Sequence, residues 1–111
     1  MRVDPARAHP WRVLPAEARK IQRNLRGDVI VEPLRRPPAV VAGIDVSVRK
    51  GGAESPVSQA AVVLLSLPEL KPLEAATAGR PTTFPYIPGL LAFREGPVVL
   101  DALEKLSTPP H

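Results

Sequence analysis

The stretch from Val40 to Val48 constrains the fold of this chain of 111 residues more than any other. Its β-branched residues favour a strand, and its only charged residue is Asp45. Arg49 to Pro56 then brings two glycines and a proline, and Ser58 to Leu65 is apolar again. This pattern predicts two strands joined by a hairpin loop.

A third strand and a closing helix are predicted from the residues that follow. Leu67 to Leu70 has the composition of a turn and Pro72 to Ala78 that of a strand, which gives an antiparallel meander over residues 39–78. Residues 79–89 contain three prolines and are predicted to be irregular. Apolar residues at helical spacing return in residues 90–106, so a second helix is expected there.

The first 38 residues are predicted to form a basic helix and a connector. The apolar face of the helix recurs at steps of three and four residues: Trp11, Leu14, Ala18, Ile21 and Leu25. The opposite face is cationic: Arg19, Lys20, Arg23 and Arg26. Pro15 is suited to the first turn of this helix, and Gly27 is suited to its end. Residues 33–38 contain three prolines and are predicted to be a connector. A solvated basic face is favoured over a dedicated phosphate-contacting one.

The net charge of +4 is concentrated near the N-terminus, where residues 1–38 hold nine Lys and Arg against four Asp and Glu. That excess favours polyanionic partners, although it serves equally well as a solubilising surface. The absence of cysteine excludes thiolate zinc sites, so any metal must be bound by oxygen or histidine. No apolar run approaches the ~18 residues of a membrane span, and the first residues lack a secretory signal pattern. We therefore expect a cytoplasmic protein.

Asp45 requires an explanation, because an uncompensated carboxylate in an apolar strand is costly. Period-two alternation places Val41, Gly43 and Ser47 on the same face as Asp45, and these small neighbours leave room for a ligand. The alternative is that Asp45 lies near the strand end and caps the turn over residues 49–52, a common role for aspartate. The residue pattern alone does not decide between the two interpretations.

Glu95 precedes Gly96 and Pro97, so it is expected at or just before a helix start, unless Pro97 only kinks a longer helix. A glutamate there is usually explained by helix-terminus electrostatics. Three motifs favour a different explanation: Gly43-Ile44-Asp45-Val46, Pro85-Tyr86-Ile87-Pro88-Gly89 and Phe93-Arg94-Glu95. In identity, order and spacing they resemble the endonuclease V family, and the resemblance extends from the Trp11 helix to Leu106.

The resemblance implies an α/β fold, the N-terminal part of a ribonuclease-H-like fold, and hydrolysis of a phosphodiester near deaminated bases, chiefly inosine, in DNA or RNA. It implies Mg²⁺, with Mn²⁺ as substitute, bound by Asp45 and Glu95 as the catalytic carboxylates. It assigns Pro85, Tyr86, Ile87, Pro88 and Gly89 to a wedge that binds nucleic acid. Two prolines stiffen that loop, so that Tyr86 and Ile87 can enter between bases.

The family's active site also requires an aspartate in an Asp-Gly-His-Gly motif, which these 111 residues lack. We therefore expect a truncated chain, without the later parallel strands and with little or no turnover alone. Its first strand would keep an unpaired edge, which favours self-association. Two alternatives remain: a non-catalytic nucleic-acid-binding remnant, and an interaction fragment that completes its sheet with another chain.

Overall fold

The computed structural model describes residues 8–50 and 55–107. Within these ranges the elements follow the predicted order of helix, three strands, loop and helix. They are α1 (Pro15–Arg26), β1 (Val40–Arg49), β2 (Val57–Ser66), β3 (Pro72–Pro81) and α2 (Leu91–Glu104). The predicted hairpin loop between β1 and β2 lies partly outside the described residues, because residues 51–54 are not among them.

The three strands form one antiparallel sheet in the order β1-β2-β3. β1 pairs with β2 along its whole length, from Val40 opposite Ser66 to Arg49 opposite Val57. β2 therefore lies in the centre, and within the described residues β1 has a strand partner on one side only. The predicted antiparallel meander is confirmed.

β3 is longer than the sequence predicts. It continues past Ala78 to Pro81, because Gly79 and Arg80 pair with the residues that begin β2. A proline is tolerated at Pro81, since it ends a strand at the edge of the sheet and few ladder bonds are lost. The irregular segment therefore begins at Thr82 and not at Gly79.

The start of α1 also differs from the prediction. Trp11 and Leu14 lie before the helix, which begins at Pro15. Pro15 disfavours helical geometry in the residue before it, and Leu14 accordingly adopts an extended backbone with φ −70° and ψ 153° and is exposed. Gly27 follows the last helical residue, as predicted.

α2 begins at Leu91, so the expectation that Glu95 stands at or before a helix start is wrong. Pro97 lies inside the helix, as the alternative interpretation required. Pro97 lacks the N–H that would bond to the Phe93 carbonyl, yet both residues are buried. Burial of these apolar residues offsets the lost hydrogen bond, and Glu95 lies in the second helical turn.

α2 packs on one face of the sheet and forms the main core with it. The buried residues of this cluster are Ala60, Val62, Leu64, Val98, Ala102, Leu103 and Leu106. Polar contacts fix the helix over β3: Arg80 Nε donates to Asp101 at 2.7 Å, and Lys105 Nζ donates to the Thr77 carbonyl at 2.6 Å. On the opposite face, the alternating residues Gln59, Ala61 and Val63 of β2 are exposed.

A second cluster joins α1, the segment after β3 and the start of α2. Its buried members are Ala18, Phe84, Leu90 and Phe93. Trp11 packs against this cluster although it lies before α1 and not on the helix itself. Among the residues that the structure describes, no helix is both long and apolar enough to cross a membrane.

Candidate functional site

Asp45 lies in the middle of β1, on the face of the sheet opposite α2. The even-numbered residues Val40, Ala42 and Val46 pack against the α2 core, so alternation directs Asp45 to the other side. Its Oδ1 accepts a 3.0 Å hydrogen bond from the Val46 backbone N–H. Asp45 stands four residues before the end of β1, and this position disagrees with the strand-end cap that was the alternative interpretation.

A concavity of about 500 Å³ opens beside Asp45. Its lining residues are Asp45, Ser47, Gln59, Ala60, Ala61, Thr77, Ala78, Gly79 and Lys105. Asp45, Ala61 and Thr77 are successive cross-strand partners, so one row of the sheet forms its floor. The small alanine and threonine side chains leave the carboxylate accessible. Within the described residues, Asp45 has no Lys or Arg in an ion pair.

Glu95 lies on α2 and is half-buried. Its carboxylate makes no hydrogen bond or ion pair with any residue in the ranges 8–50 and 55–107. Glu95 is only part-buried and its carboxylate oxygens are not buried away from solvent, so the carboxylate remains accessible to a cation. Glu95 is not among the residues that line the concavity beside Asp45.

The two carboxylates fit a divalent metal in type but not in number. In the described part of the chain, no three His, Asp or Glu side chains come together as a metal-binding group. Asp45 and Glu95 individually suit Mg²⁺, because hard cations prefer carboxylate oxygens and neither carboxylate is neutralised by a described cation. Each carboxylate is therefore suited to a hard cation, but Asp45 lies on the face opposite α2 and Glu95 lies on α2, so the described residues do not bring the two together around one ion.

Pro85 to Gly89 form a loop with a defined turn at its end; its residues are exposed except for Ile87, which packs against the second cluster. The Leu90 N–H donates to the Ile87 carbonyl at 3.0 Å, and Gly89 has φ 85°. Proline at the second position and a glycine of positive φ at the third are the signature of a type II turn. The turn at the end of the loop is therefore favoured by its own sequence.

Buried residues flank this loop on both sides and Tyr86 projects between them. Phe84 and Leu90 are buried in the second cluster, whereas the side chain of Tyr86 is 68% exposed. Before Phe84, Thr82 Oγ1 lies 2.6 Å from the buried hydroxyl of Ser58, which ties the loop to β2. The structure thus presents Tyr86 to solvent on a loop with two anchored ends.

The loop is also bonded to α1, which the sequence did not indicate. Gln22 Nε2 donates to the Gly89 carbonyl at 3.1 Å. The two residues are 67 positions apart, and no local signal links them. Lys105 was likewise missed as a residue that lines the concavity beside Asp45, because it reaches that concavity through tertiary packing and not through a motif.

A family model described as Endonuclease V matches residues 23–111. The chain belongs to the endonuclease V family. An Endonuclease V from Nostoc punctiforme is 49% identical over 106 residues, which cover 95% of this chain and 47% of that relative. The match to the family model includes Asp45, the loop from Pro85 to Gly89, and Glu95.

Solved endonuclease V structures share the fold of this family member. The crystal structure of Endonuclease V from Streptomyces avermitilis superposes with a TM-score of 0.77 at 44% identity, over 90% of this chain and 43% of that chain. A Ciona intestinalis Endonuclease V in complex with inosine-containing DNA has a TM-score of 0.69 at 30% identity, over 80% of this chain and 38% of that chain. The chain spans about half the length of the curated relatives it matches, 47% and 45% of the first two.

Proposed function

We propose that this chain is the N-terminal portion of a metal-dependent repair endonuclease that hydrolyses a phosphodiester near deaminated bases, chiefly inosine, in DNA or RNA. In this proposal the chain contributes two metal-binding carboxylates and the wedge, and turns over little or no substrate alone. The proposed location is the cytoplasm.

The observation that carries the proposal is the combination of two unneutralised carboxylates with an anchored, exposed loop in one endonuclease V family member. Asp45 is exposed and, among the described residues, accepts only the N–H of Val46, so its carboxylate is accessible to a cation. The inosine-containing DNA in the Ciona intestinalis complex supports the proposed substrate class.

Asp45 and Glu95 are assigned to hold Mg²⁺, or Mn²⁺ in its place, through their carboxylate oxygens. When bound, the ion supplies positive charge that stabilises the reacting phosphate and activates water. Asp45 is positioned by the rigid β1–β2 ladder and Glu95 by α2, so each carboxylate stands on a regular element and not on a loop. No covalent nucleophile of the chain is required.

The loop from Pro85 to Gly89 is assigned to enter the nucleic acid. Pro85 and Pro88 restrict φ and Gly89 completes the turn, so little conformational entropy is lost when Tyr86 meets a base step. Inserting an aromatic side chain unstacks the step and helps to expose a damaged base. The exposure of Tyr86 is consistent with this role.

A direct test incubates the chain with an inosine-containing duplex and Mg²⁺ or Mn²⁺, beside an Asp45→Ala variant. We expect little or no nicking from either protein, because the described residues provide only part of a metal site. Robust nicking that the substitution abolishes would overturn the expected inactivity while supporting the assigned role of Asp45.

A chimera tests the assigned residues in a complete enzyme. The 106 matched residues of the Nostoc punctiforme relative are replaced by this chain. We expect metal-dependent nicking of the inosine duplex, reduced at least about a hundredfold by Asp45→Asn or Glu95→Gln, since each removes a negatively charged ligand. Glu104→Gln is the matched control, because Glu104 is an exposed carboxylate on the same helix.

Two results would count against the proposal. A folded chimera that cuts undamaged duplex equally well would refute the specificity for deaminated bases, and full activity after Glu95→Gln would refute its role. Inosine-dependent binding by the chimera without any metal-dependent nick would favour the non-catalytic alternative instead.

A further inference from the structure

Three arginines of α1 form a row along one side of the helix. Arg19, Arg23 and Arg26 follow each other at steps of four and three residues, which places their side chains on one helical face. All three are exposed, and none makes a hydrogen bond or ion pair with a residue in the described ranges. Three unpaired like charges in one row create a local positive potential that an anion would relieve.

This arginine row borders the loop from Pro85 to Gly89. A concavity of about 360 Å³ lies between them, lined by Arg19, Gln22, Arg23, Arg26, Pro88 and Gly89. The hydrogen bond from Gln22 Nε2 to the Gly89 carbonyl joins its two walls. The row therefore stands at a fixed place beside the turn that follows Tyr86.

The dimensions and chemistry of the row fit a nucleic-acid backbone. Arg19 and Arg26 are about 10 Å apart along the helix axis, at a rise of roughly 1.5 Å per residue. One strand of duplex DNA carries a phosphate about every 3.4 Å of its axis, so the row can face two or three successive phosphates. Guanidinium groups bind phosphate oxygens in a bidentate manner, which lysines do not.

We propose that Arg19, Arg23 and Arg26 form a phosphate clamp that binds the duplex backbone next to the base step entered by the wedge. The inference rests on the proposed function, since it takes the loop from Pro85 to Gly89 as the element that meets the nucleic acid. The clamp contacts no base and so adds affinity without sequence preference. Its role is to position the duplex so that Tyr86 arrives between bases.

The test measures binding of the chain to a labelled DNA duplex by fluorescence anisotropy, in EDTA and over a series of salt concentrations. One duplex contains a single inosine and the other does not. The variant is Arg19→Gln/Arg23→Gln/Arg26→Gln. The charge-matched control is Arg35→Gln/Arg36→Gln/Lys71→Gln, which removes three exposed cations that lie outside α1 and do not line the concavity.

We expect the slope of log K against log salt to become shallower by about 2 to 3 in the arginine variant, because each neutralised phosphate contributes about 0.9. The affinity should fall by the same factor for both duplexes, as backbone contacts require. The control variant should change the slope by less than half as much. If the triple variant does not fold, Arg23→Gln alone should change the slope by about 0.9.

An unchanged slope in the arginine variant, or a chain that binds neither duplex, would overturn the clamp. Failure of the proposed function has a different signature. In that case arginine-dependent binding persists, while the inosine duplex has no advantage and the chimera makes no metal-dependent nick.

Discussion

Gly96 of α2 lies directly against the indole ring of Trp11. A Cβ at this position would lie 2.5 Å from both Cη2 and Cζ3 of Trp11, closer than carbon atoms can approach. The absent side chain lets the indole ring lie against the helix at the turn that carries Glu95. The motif Phe93-Arg94-Glu95 is therefore followed by glycine for a steric reason.

We expect Gly96→Ala to lower the free energy of unfolding by about 1 kcal/mol. Overpacking of this kind costs about 1–3 kcal/mol, and the better helix propensity of alanine returns up to about 1 kcal/mol. Urea unfolding measures the change. Gly27→Ala is the control, because Gly27 has helical φ of −68° and a Cβ added there would meet no atom within 4 Å. Equal midpoints for Gly96→Ala and the unmodified chain would contradict the steric argument.

At the residue scale, the position of Asp45 within its strand was predicted correctly from the sequence, whereas the position of Glu95 within its helix was not. Alternation within a β-branched strand fixes which face Asp45 occupies, since the side-chain period is two. Glu95 was misplaced because Pro97 is compatible with either a helix start or a helix interior. The choice depends on burial of Phe93 and Pro97 in tertiary packing, which a local pattern does not reveal.

β2 is the element that joins the sheet to α2. Its side chains alternate between buried and exposed, and Leu64 is completely buried between the sheet and the helix. Since Val57 to Ser66 pairs on both sides, each buried side chain of β2 supports both neighbouring strands. Loss of packing here should weaken the whole described fold.

We expect Leu64→Ala to lower the free energy of unfolding by about 2–5 kcal/mol, because it leaves a cavity in the core. Leu73→Ala should change it by less than about 0.5 kcal/mol, since Leu73 is half-exposed on β3. Denaturant titration followed by circular dichroism distinguishes the two. Similar costs for both substitutions would show that Leu64 does not lie in a close-packed core.

The limits of the elements were predicted well where composition changes sharply and poorly where it does not. β1 and β2 end within a residue or two of the expected positions, because glycine, proline and charged residues border them. β3 runs on through Gly79 to Pro81, residues that have low strand propensity. Pairing with β2 overrides that local preference.

The two edge strands of the sheet, β1 and β3, differ in how well they are protected from pairing with a further strand. Pro72 and Pro81 stand at the two ends of β3. Lys105 Nζ donates a hydrogen bond to the Thr77 carbonyl of this strand. β1 has no such protection among the described residues, and Ile44 is 45% exposed beside its edge. Prolines and lysines are common means of blocking edge-to-edge pairing, so β1 is the edge expected to associate.

We expect the chain to self-associate with increasing concentration, and Ile44→Lys to weaken that association. A lysine on the edge strand would have to be desolvated when a second strand pairs there. Sedimentation velocity over a concentration series measures the effect. Leu73→Lys on β3 is the control and should leave the association unchanged; an equal effect of both would show that the β1 edge is not the contact.

At the scale of the whole molecule, the order of the elements was predicted from the sequence, but which distant segments come into contact was not. The family resemblance brought Asp45, Glu95 and the loop into one expected site, and the structure places each of them on a well-defined element. The contact between Gln22 and Gly89, and the arginine row beside it, arise from packing between segments 67 residues apart. Helical periodicity predicts that the three arginines share one face of α1, but it does not predict that this face lies beside the loop from Pro85 to Gly89.

The strand order β1-β2-β3 has a consequence for how the chain reaches this state. Every strand pairs with its neighbour in sequence, so each pairing closes only a short loop and loses little chain entropy. Such local topologies fold faster than those built from distant pairings, and domains begin to form from the N-terminal side during synthesis. The sheet that carries Asp45 is therefore expected to assemble early, as a template on which any strand joining the β1 edge would be added later.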